Sequence, residues 1–490
     1  MLELIELIEL AMVCAVAFAL RIMPLRSNRW FGGDSFYHML VAREIRKGRA
    51  LPRTDPGLLP ENEYTYPPLL HVLMAPFAVR RERAAFRFFS PSLDVLAVIA
   101  VYEMSAIFCV HPIWAALIYA LSPMNVIDAT TLNTRALGNL LLTVTMLLMM
   151  TLLSSMTIAI YFLLILVESL LLISQKMVVQ VMIPLHIVTA AFYPIIQALA
   201  HSISVDLSGQ NVVDIVLLLL ALPISMIVAT VITRGRYLRS ILPDHIRYLR
   251  VHFRHGDLHN AEKKIPNPIG LIKYNPVSYL APFVGVALII WQAPAFQASA
   301  PLLWSIIILI FAQFWIWGDS WRYLQLGTAP AAILFVLLAE HLDGLGYFQN
   351  LGLLLMIALI VGLGLITAIQ IRRLDRDRSN EKIAGAINRL PGEWKQKLAG
   401  ASVYSNANNY LVPYLLGGRM LAGSPSAKGM DQSFRLLDAQ KKGAMETVRF
   451  ARDELKSAPD FVVIFKDWPS QSIDGLGKLF ETDGVAIYST

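Results

Sequence analysis

Apolar stretches long enough to cross roughly 30 Å of hydrocarbon recur through the first three quarters of this 490-residue chain, and they constrain its fold more than any other feature. They cover approximately 4–25, 92–110, 111–124, 136–153, 156–174, 177–200, 211–233, 276–296, 300–317, 325–341 and 349–371. That makes about eleven transmembrane helices, within a range of about ten to thirteen because several runs are joined by very short turns. The runs are continuous rather than alternating, which excludes a closed β-barrel and predicts a polytopic α-helical membrane protein. With 56% hydrophobic and only 16% charged residues, the chain is not composed like a soluble domain. Its two cysteines, Cys14 and Cys109, both lie in apolar runs and build no disulfide framework. The start, Met1-Leu-Glu-Leu-Ile-Glu-Leu7, is acidic and has no basic n-region or small-residue cleavage site. The first span is therefore expected to be a retained anchor.

The transmembrane part is expected to run over 1–375, with two polar interruptions: a first external loop at 26–91 and a basic loop at 234–275. Past the abrupt polar boundary Arg372-Arg-Leu-Asp-Arg-Asp-Arg378, residues 380–490 read as a small soluble α/β domain. Ala401-Ser-Val-Tyr404, Phe461-Val-Val-Ile-Phe465 and Gly484-Val-Ala-Ile-Tyr488 suit buried strands. Between them, Phe434, Leu437, Met445, Val448 and Leu455 recur at helical spacing and predict a helix over 433–455. In Tyr404-Ser-Asn-Ala-Asn-Asn-Tyr410, polar groups fall at a strand end, where they suit helix capping or a ligand.

Where the chain first leaves the membrane it presents Trp30-Phe-Gly-Gly-Asp-Ser-Phe-Tyr-His38, then Arg53-Thr-Asp-Pro56 and Tyr66-Pro-Pro-Leu69. Membrane insertion needs no carboxylates there. An acidic site beside lipid suits a transferase whose substrate keeps its tail in the bilayer and its reactive end at the headgroup level. Residues 35–47 fit a helix, with Asp34 as N-cap and Gly48 beyond its end. Capping is one role for Asp34; the other is to accept a proton from an acceptor hydroxyl or to help hold a divalent cation. Gly32 and Gly33 would let a ligand approach the backbone closely. His38 lies one turn on, either as a polar surface histidine or as a substrate contact. Asp55 precedes proline, a turn-forming arrangement, but Glu61 and Glu63 follow in the same loop. Tyr66 leads through Pro67-Pro68-Leu69 into an apolar stretch, 67–79, that is too short to span and reads as a juxtamembrane or re-entrant helix.

Further along, Asp128 and Arg135 flank a polar break between two apolar runs, at a depth where ionisable groups find a partner or face a cavity. The loop 234–275 carries nine Lys/Arg against three acids, plus His245, His252, His255 and His259. Leu242, Ile246, Leu249 and Phe253 form an apolar stripe, with Arg239, Arg247, Arg250 and Arg254 on another face. Such a helix would lie in the membrane interface. The histidines match no closed zinc pattern. In Trp315-Ile-Trp-Gly-Asp-Ser-Trp-Arg-Tyr323 the aromatics suit an interfacial belt, and Arg322 suits either snorkelling or a two-point grip on a lipid-linked phosphate. Eleven spans with the N-terminus inside would put the first loop, the basic loop and the C-terminal domain all on the outer side, although a loop this basic favours the cytoplasmic side, where one extra crossing by 67–79 would put it. No Walker sequence and no Gly-x-Gly-x-x-Gly before a helix supports nucleotide binding.

Together these residues resemble the membrane glycosyltransferases of the C superfamily, particularly the dolichyl-phosphate-mannose protein mannosyltransferase and aminoarabinose transferase branch. The counterparts are Asp34, the helix 36–47 with Gly48, Pro67-Pro68-Leu69, His245-Ile-Arg247, Asn275-Pro276 and Arg322-Tyr323-Leu324. The family often has two adjacent acids in the first loop, whereas Ser35 follows Asp34 here, which leaves open whether one carboxylate suffices or Asp55 supplies the second. The resemblance implies transfer of a sugar, with inversion, from a polyprenyl- or dolichyl-phosphate donor to a protein, lipid or glycan acceptor at the outer or luminal face. Asp34 and Asp55 are then the catalytic candidates. His38, Glu63, Tyr66, Asp128, Arg135, His245, Arg247, Arg250, Arg322 and Tyr323 are the substrate-binding ones. No cofactor is certain; a divalent cation, Mg or Mn, is left open, and Asp34 and Asp55 would hold it if one takes part. The expected partners are the lipid-linked sugar, its acceptor and membrane lipids, and not nucleic acid. Two alternatives stay open. An oligosaccharyltransferase subunit would carry a Trp-Trp-Asp-x-Gly motif in its C-terminal domain, which 380–490 lacks; a lipid or solute transporter would keep its charges at the membrane midplane.

Overall fold

The computed structural model describes residues 2–490, apart from 28–29, 31, 49, 79–80, 155–156, 193–208, 256–267, 292–294, 314–319, 346–349, 408–409 and 468–470. His259, residues 315–319, Asn408 and Asn409 therefore lie outside the described residues. The protein is mostly helical. Among the described residues, five helices are long and apolar enough to cross a membrane: Glu82–Ala106, Thr134–Leu152, Val213–Ile232, Arg322–Gly344 and Leu351–Arg389. A sixth span arises if Pro112–Leu121 and Pro123–Thr130, bent by 57° between them, count as one. The bend has a local cause. Pro123 offers no N–H and holds Ser122 extended, so the helix stops and restarts. Four shorter apolar helices follow the same composition: Ile158–Leu172, Lys176–Ala191, Pro276–Ile290 and Ser299–Gln313. The helix Leu2–Ile22 carries Glu3, Glu6 and Glu9 in its first half.

A buried ionic network joins the first of these helices to three others. Arg21 is fully buried, its Nε donating to the Asp94 carboxylate and its Nη1 to the carbonyls of Ala17 (2.9 Å) and Ala120 (3.0 Å). Tyr119 donates to the second Asp94 oxygen at 3.0 Å, and the Asn139 amide donates to the Tyr119 hydroxyl. Charges this deep persist only when paired and hydrogen-bonded, so the network holds Leu2–Ile22, Glu82–Ala106, Pro112–Leu121 and Thr134–Ser154 in one arrangement.

The C-terminal region carries a six-stranded mixed sheet: β1 (Leu58–Leu59), β2 (Ser402–Ser405), β3 (Arg419–Leu421), β4 (Phe461–Phe465), β5 (Gly477–Glu481) and β6 (Val485–Ser489). Their order is β1-β3-β2-β4-β6-β5, parallel from β1 to β4 and antiparallel beyond. Three of these strands match the expected apolar runs. The edge strand β1 comes from the first loop, pairing Leu58 with Met420 and Leu59 with Leu421. One core cluster mixes the two regions as well, packing Phe36, Tyr37, Val41, Leu58 and Tyr64 with Ile383, Trp394, Val403, Leu411 and Val463.

Two sequence expectations need correction. The helix expected over 433–455 is two helices, Ala427–Gln440 and Ala444–Asp453, because Gly443 takes a φ of +122°, which no helix tolerates. The span placed at 92–110 begins earlier, at Glu82, so the first loop is shorter than expected. Arg322 leads directly into a span, as expected, from the 3-10 turn Ser320–Gly327 that precedes the helix Thr328–Gly344.

The Arg21 network makes a prediction. Arg21→Met leaves the Asp94 charge without its cation and should cost about 3–5 kcal/mol. Arg21→Met combined with Asp94→Leu should recover most of that loss. Thermal unfolding of the detergent-solubilised variants measures both.

Candidate functional site

The first-loop helix Gly33–Gly48 begins one residue before Asp34, which therefore sits in its first turn and does not cap it. A carboxylate there still faces the positive end of the helix dipole. Gly32 has a φ of +86°, and a Cβ at that position would meet Thr131 Cγ2 at 2.7 Å. The missing side chain therefore admits Thr131, whereas the sequence reading gave that space to a ligand. This contact sets Asp34 against the turn between Pro123–Thr130 and Thr134–Ser154.

Arg135 stands just past that turn, in the first turn of the helix Thr134–Ser154. Its Nη1 bonds Asp128 Oδ1 at 2.5 Å, and its Nη2 lies 3.6 Å from Asp34 Oδ2. The Asn133 side chain donates to the Asp128 carbonyl (2.6 Å) and accepts from the Arg135 amide (2.7 Å), which shapes the turn. The three partners differ in exposure: the Asp34 side chain is 62% exposed, that of Arg135 14% and that of Asp128 6%. Asp34 thus presents an open carboxylate oriented by a buried ion pair.

Tyr66 lies beside them, its hydroxyl 3.1 Å from Thr134 Oγ1 and in the electrostatic field of Asp34, Arg135 and Arg322. Tyr323 donates to Gln180 Oε1, and the Gln180 amide donates to His245 Nε2 at 3.0 Å. Burial pulls His245 down to about 3, so it is a neutral acceptor at neutral pH. The helix Leu242–His255 turns its polar side inward: Asp244, His245 and His252 are buried, while Ile246 and Phe253 are exposed together with Arg247, Arg250 and Arg254. Of the apolar stripe, Ile246 and Phe253 face away from the protein, as an interface-bound helix requires, whereas Leu249 is half-buried and Leu242 packs against the core. Arg247 and Arg250 lie on that outer side and do not join the cluster, and Glu63 is also exposed.

Asp55 departs furthest from an open acid. It is 3% exposed and accepts a 2.6 Å hydrogen bond from the Tyr37 hydroxyl. Backbone bonds from Asp55 to Asn62 and from Tyr64 to Arg53, both 3.0 Å, close its loop into a hairpin. Burial pushes the Asp55 carboxyl up to about 6 against the opposing effect of Tyr37. His38 is not a surface histidine: it is 3% exposed, and its Nδ1 lies 2.8 Å from Nε2 of the fully buried His71. Burial pulls His38 down to about 4 and His71 well below its ordinary value.

Sequence reasoning missed Lys176, Asp244 and His71, and reached Tyr410 only as the end of a polar segment suited to capping or a ligand. The Lys176 ammonium donates to Asp244 (2.7 Å) and to the Pro425 carbonyl (3.0 Å), and it lies 4.8 Å from the Tyr248 ring. The backbone N–H of Ala427 donates to the other Asp244 oxygen at 3.0 Å. Tyr410 feels both Asp34 and Asp55. Arg236 also donates to the Pro52 carbonyl at 3.1 Å, so the first loop, the basic loop and the C-terminal region meet on one side of the helices. In the sequence, Lys176 looks like a turn residue in a short break between apolar runs, and nothing local marks it. A divalent cation does not fit this donor set. Among the described residues no three His, Cys, Asp or Glu side chains converge on one point. Asp34 is engaged by Arg135 and Asp55 by Tyr37.

No protein-family model and no curated protein sequence matches this chain. Solved structures do. The archaeal oligosaccharyltransferase AglB from Archaeoglobus fulgidus, in complex with an inhibitory peptide and a dolichol-phosphate, aligns over 94% of this chain and 69% of its own, with a TM-score of 0.59 and 12% identity. ArnT from Cupriavidus metallidurans, bound to undecaprenyl phosphate, aligns over 98% of this chain and 97% of its own, with a TM-score of 0.55 and 11% identity. The chain therefore shares the fold of AglB and ArnT.

The Asp55 environment has a pH signature. Its folded pKa lies above the unfolded one, so the folded state holds the extra proton between about pH 4 and pH 6. The contribution of Asp55 to stability falls as pH rises through that window, and above it the cost of burying the charge is fully present. Asp55→Asn, which keeps an acceptor for Tyr37, should raise the melting temperature at pH 8 and leave it unchanged near pH 4. Thermal melts at the two pH values provide the comparison.

Proposed function

We propose that this protein is a membrane glycosyltransferase that moves a sugar from a polyprenyl- or dolichyl-phosphate carrier to a protein, lipid or glycan acceptor. The observation that carries the reading is an exposed carboxylate, Asp34, oriented by the buried Arg135–Asp128 pair at the ends of membrane helices, within a fold shared with structures holding dolichol-phosphate and undecaprenyl phosphate. Asp34 accepts the acceptor's proton as its oxygen attacks the anomeric carbon, in a direct displacement with inversion. Arg322 grips the donor phosphate by a two-point contact, with Tyr66 beneath it and the isoprenoid tail between helices. Asp55, bonded to the Tyr37 hydroxyl, shapes the loop that carries the site.

About eleven helices cross the membrane in this reading, counting Leu2–Ile22, the bent pair and the four short helices. Residues 1–375 form the transmembrane unit and 380–490 a soluble α/β domain lying with both polar loops on the outer or luminal face. The charged groups gather at helix ends, which favours transfer over transport.

Release of polyprenyl phosphate from labelled polyprenyl-phosphate sugar, measured with the full chain in proteoliposomes, tests the proposal. Asp34→Asn should lower the rate by about 10²–10⁴-fold with donor affinity within about twofold. An unchanged rate removes Asp34 from its role, and no release by the unaltered protein removes the function. Transfer to an Asn-Val-Thr peptide would instead favour the oligosaccharyltransferase alternative.

A further inference from the structure

Three buried groups behind Asp34 form a chain that the reaction as described does not use. The Tyr64 hydroxyl lies 2.7 Å from His71 Nδ1, and His71 Nε2 lies 2.8 Å from His38 Nδ1. Tyr64 and His71 are buried, 3% and 0% exposed, and come from the hairpin and from the short helix Leu69–Met74; His38 belongs to the helix that bears Asp34.

The proton positions follow from donors and acceptors. Burial holds the Tyr64 phenol protonated and both imidazoles neutral. A phenol O–H buried in this chain needs an acceptor, and the one within reach is His71 Nδ1. His71 must then carry its proton on Nε2 and donate it to His38 Nδ1. His38 is left with its proton on Nε2, which diverges across the ring from the His71 contact. The charged groups acting on His38 are Asp34, one turn earlier on its own helix, and Arg135 from the facing membrane helix. The other groups against it are His71, Tyr37 and Tyr66, whose ring centroids lie 5.0, 5.6 and 5.7 Å away.

We propose that Tyr64 and His71 are positioning residues that lock His38 as a neutral Nε2–H donor facing the Asp34–Arg135 cluster, where it hydrogen-bonds the phosphate oxygen departing from the sugar. The role at the phosphate rests on the glycosyl-transfer reading; the lock itself rests on the geometry alone. In the step, the acceptor oxygen forms its bond to the anomeric carbon and its proton passes to Asp34. The bond from that carbon to the phosphate oxygen breaks, and the electron pair stays on the phosphate. His38 keeps its proton throughout. It stabilises the developing charge as a fixed dipole, without adding a cation beside Arg135. The lock also excludes His38 as the general base, because the nitrogen facing the site is already protonated.

Two measurements test this. In ¹⁵N-histidine spectra of the full chain in nanodiscs, with the His38 signals identified by their loss in His38→Phe, His38 should be the Nε2–H tautomer from about pH 5 to pH 8. An Nδ1–H tautomer or an imidazolium at pH 7 overturns the lock. In the polyprenyl-phosphate release assay, Tyr64→Phe should lower kcat about tenfold, leave the donor KM nearly unchanged, and cause no further loss in a His38→Phe background. Equal losses in both backgrounds, or an unaltered kcat, show that Tyr64 does not act through His38. If the unaltered protein releases no polyprenyl phosphate, the phosphate role falls with the glycosyl-transfer reading, and the spectra still decide the lock.

Discussion

Arg135 sits between two carboxylates, Asp128 within its own helix–turn–helix and Asp34 from the first loop, and the placement of that loop depends on the contact. A guanidinium at the end of a membrane helix is too costly to leave unpaired. Asp128 neutralises it locally, and Asp34 adds a longer contact at 3.6 Å from a more exposed position. The weaker, wetter half of the triad is the half open to solvent. A carboxylate fully locked in a short salt bridge would be a poor base, and one without a partner would not be held in place.

The same loop is fixed from its far side by a different kind of contact. Leu58 and Leu59 extend the C-terminal sheet as an edge strand, and the Asn62 amide donates to Gln432 Oε1 at 2.8 Å. Lys176 and Asp244 add a third tie, from a membrane helix and the basic loop to the turn at 425–427. The polar site is therefore walled by three parts of the chain that are distant in sequence. Its inner polar groups, Asp55 and His38, are buried because those parts share one hydrophobic core. Burial in turn raises the acid and keeps the histidines neutral.

Much of this was legible in the residues. Asp128 and Arg135 stood out because ionisable groups at a span boundary demand partners, and they proved to be each other's. Strands β2, β4 and β6 stood out as apolar runs between polar breaks. The short strands β1 and β3 did not, since two or three residues carry no period. Asp34 and Asp55 looked equivalent as loop acids, yet one is exposed and the other enclosed. His38 looked like a surface residue because its helix follows a polar loop, and only the packing of Tyr37, Tyr66 and His71 around it shows otherwise. Lys176 and His71 gave no signal at all, one lying in a turn between apolar runs and the other inside an apolar stretch.

Composition and periodicity determined by themselves that the chain is a helical membrane protein with a mixed C-terminal region, and that acidic and basic groups collect between its apolar runs. Those conclusions depend on local quantities: the length of an apolar run, the spacing along a helix or strand, and the cost of a charge near lipid. Only the tertiary structure decided which charges meet, which acid keeps its access to water, and that the first loop completes the C-terminal sheet. Pairing and burial depend on residues hundreds of positions apart, such as Leu58 with Met420 and Asp244 with Ala427. No local pattern encodes those distances.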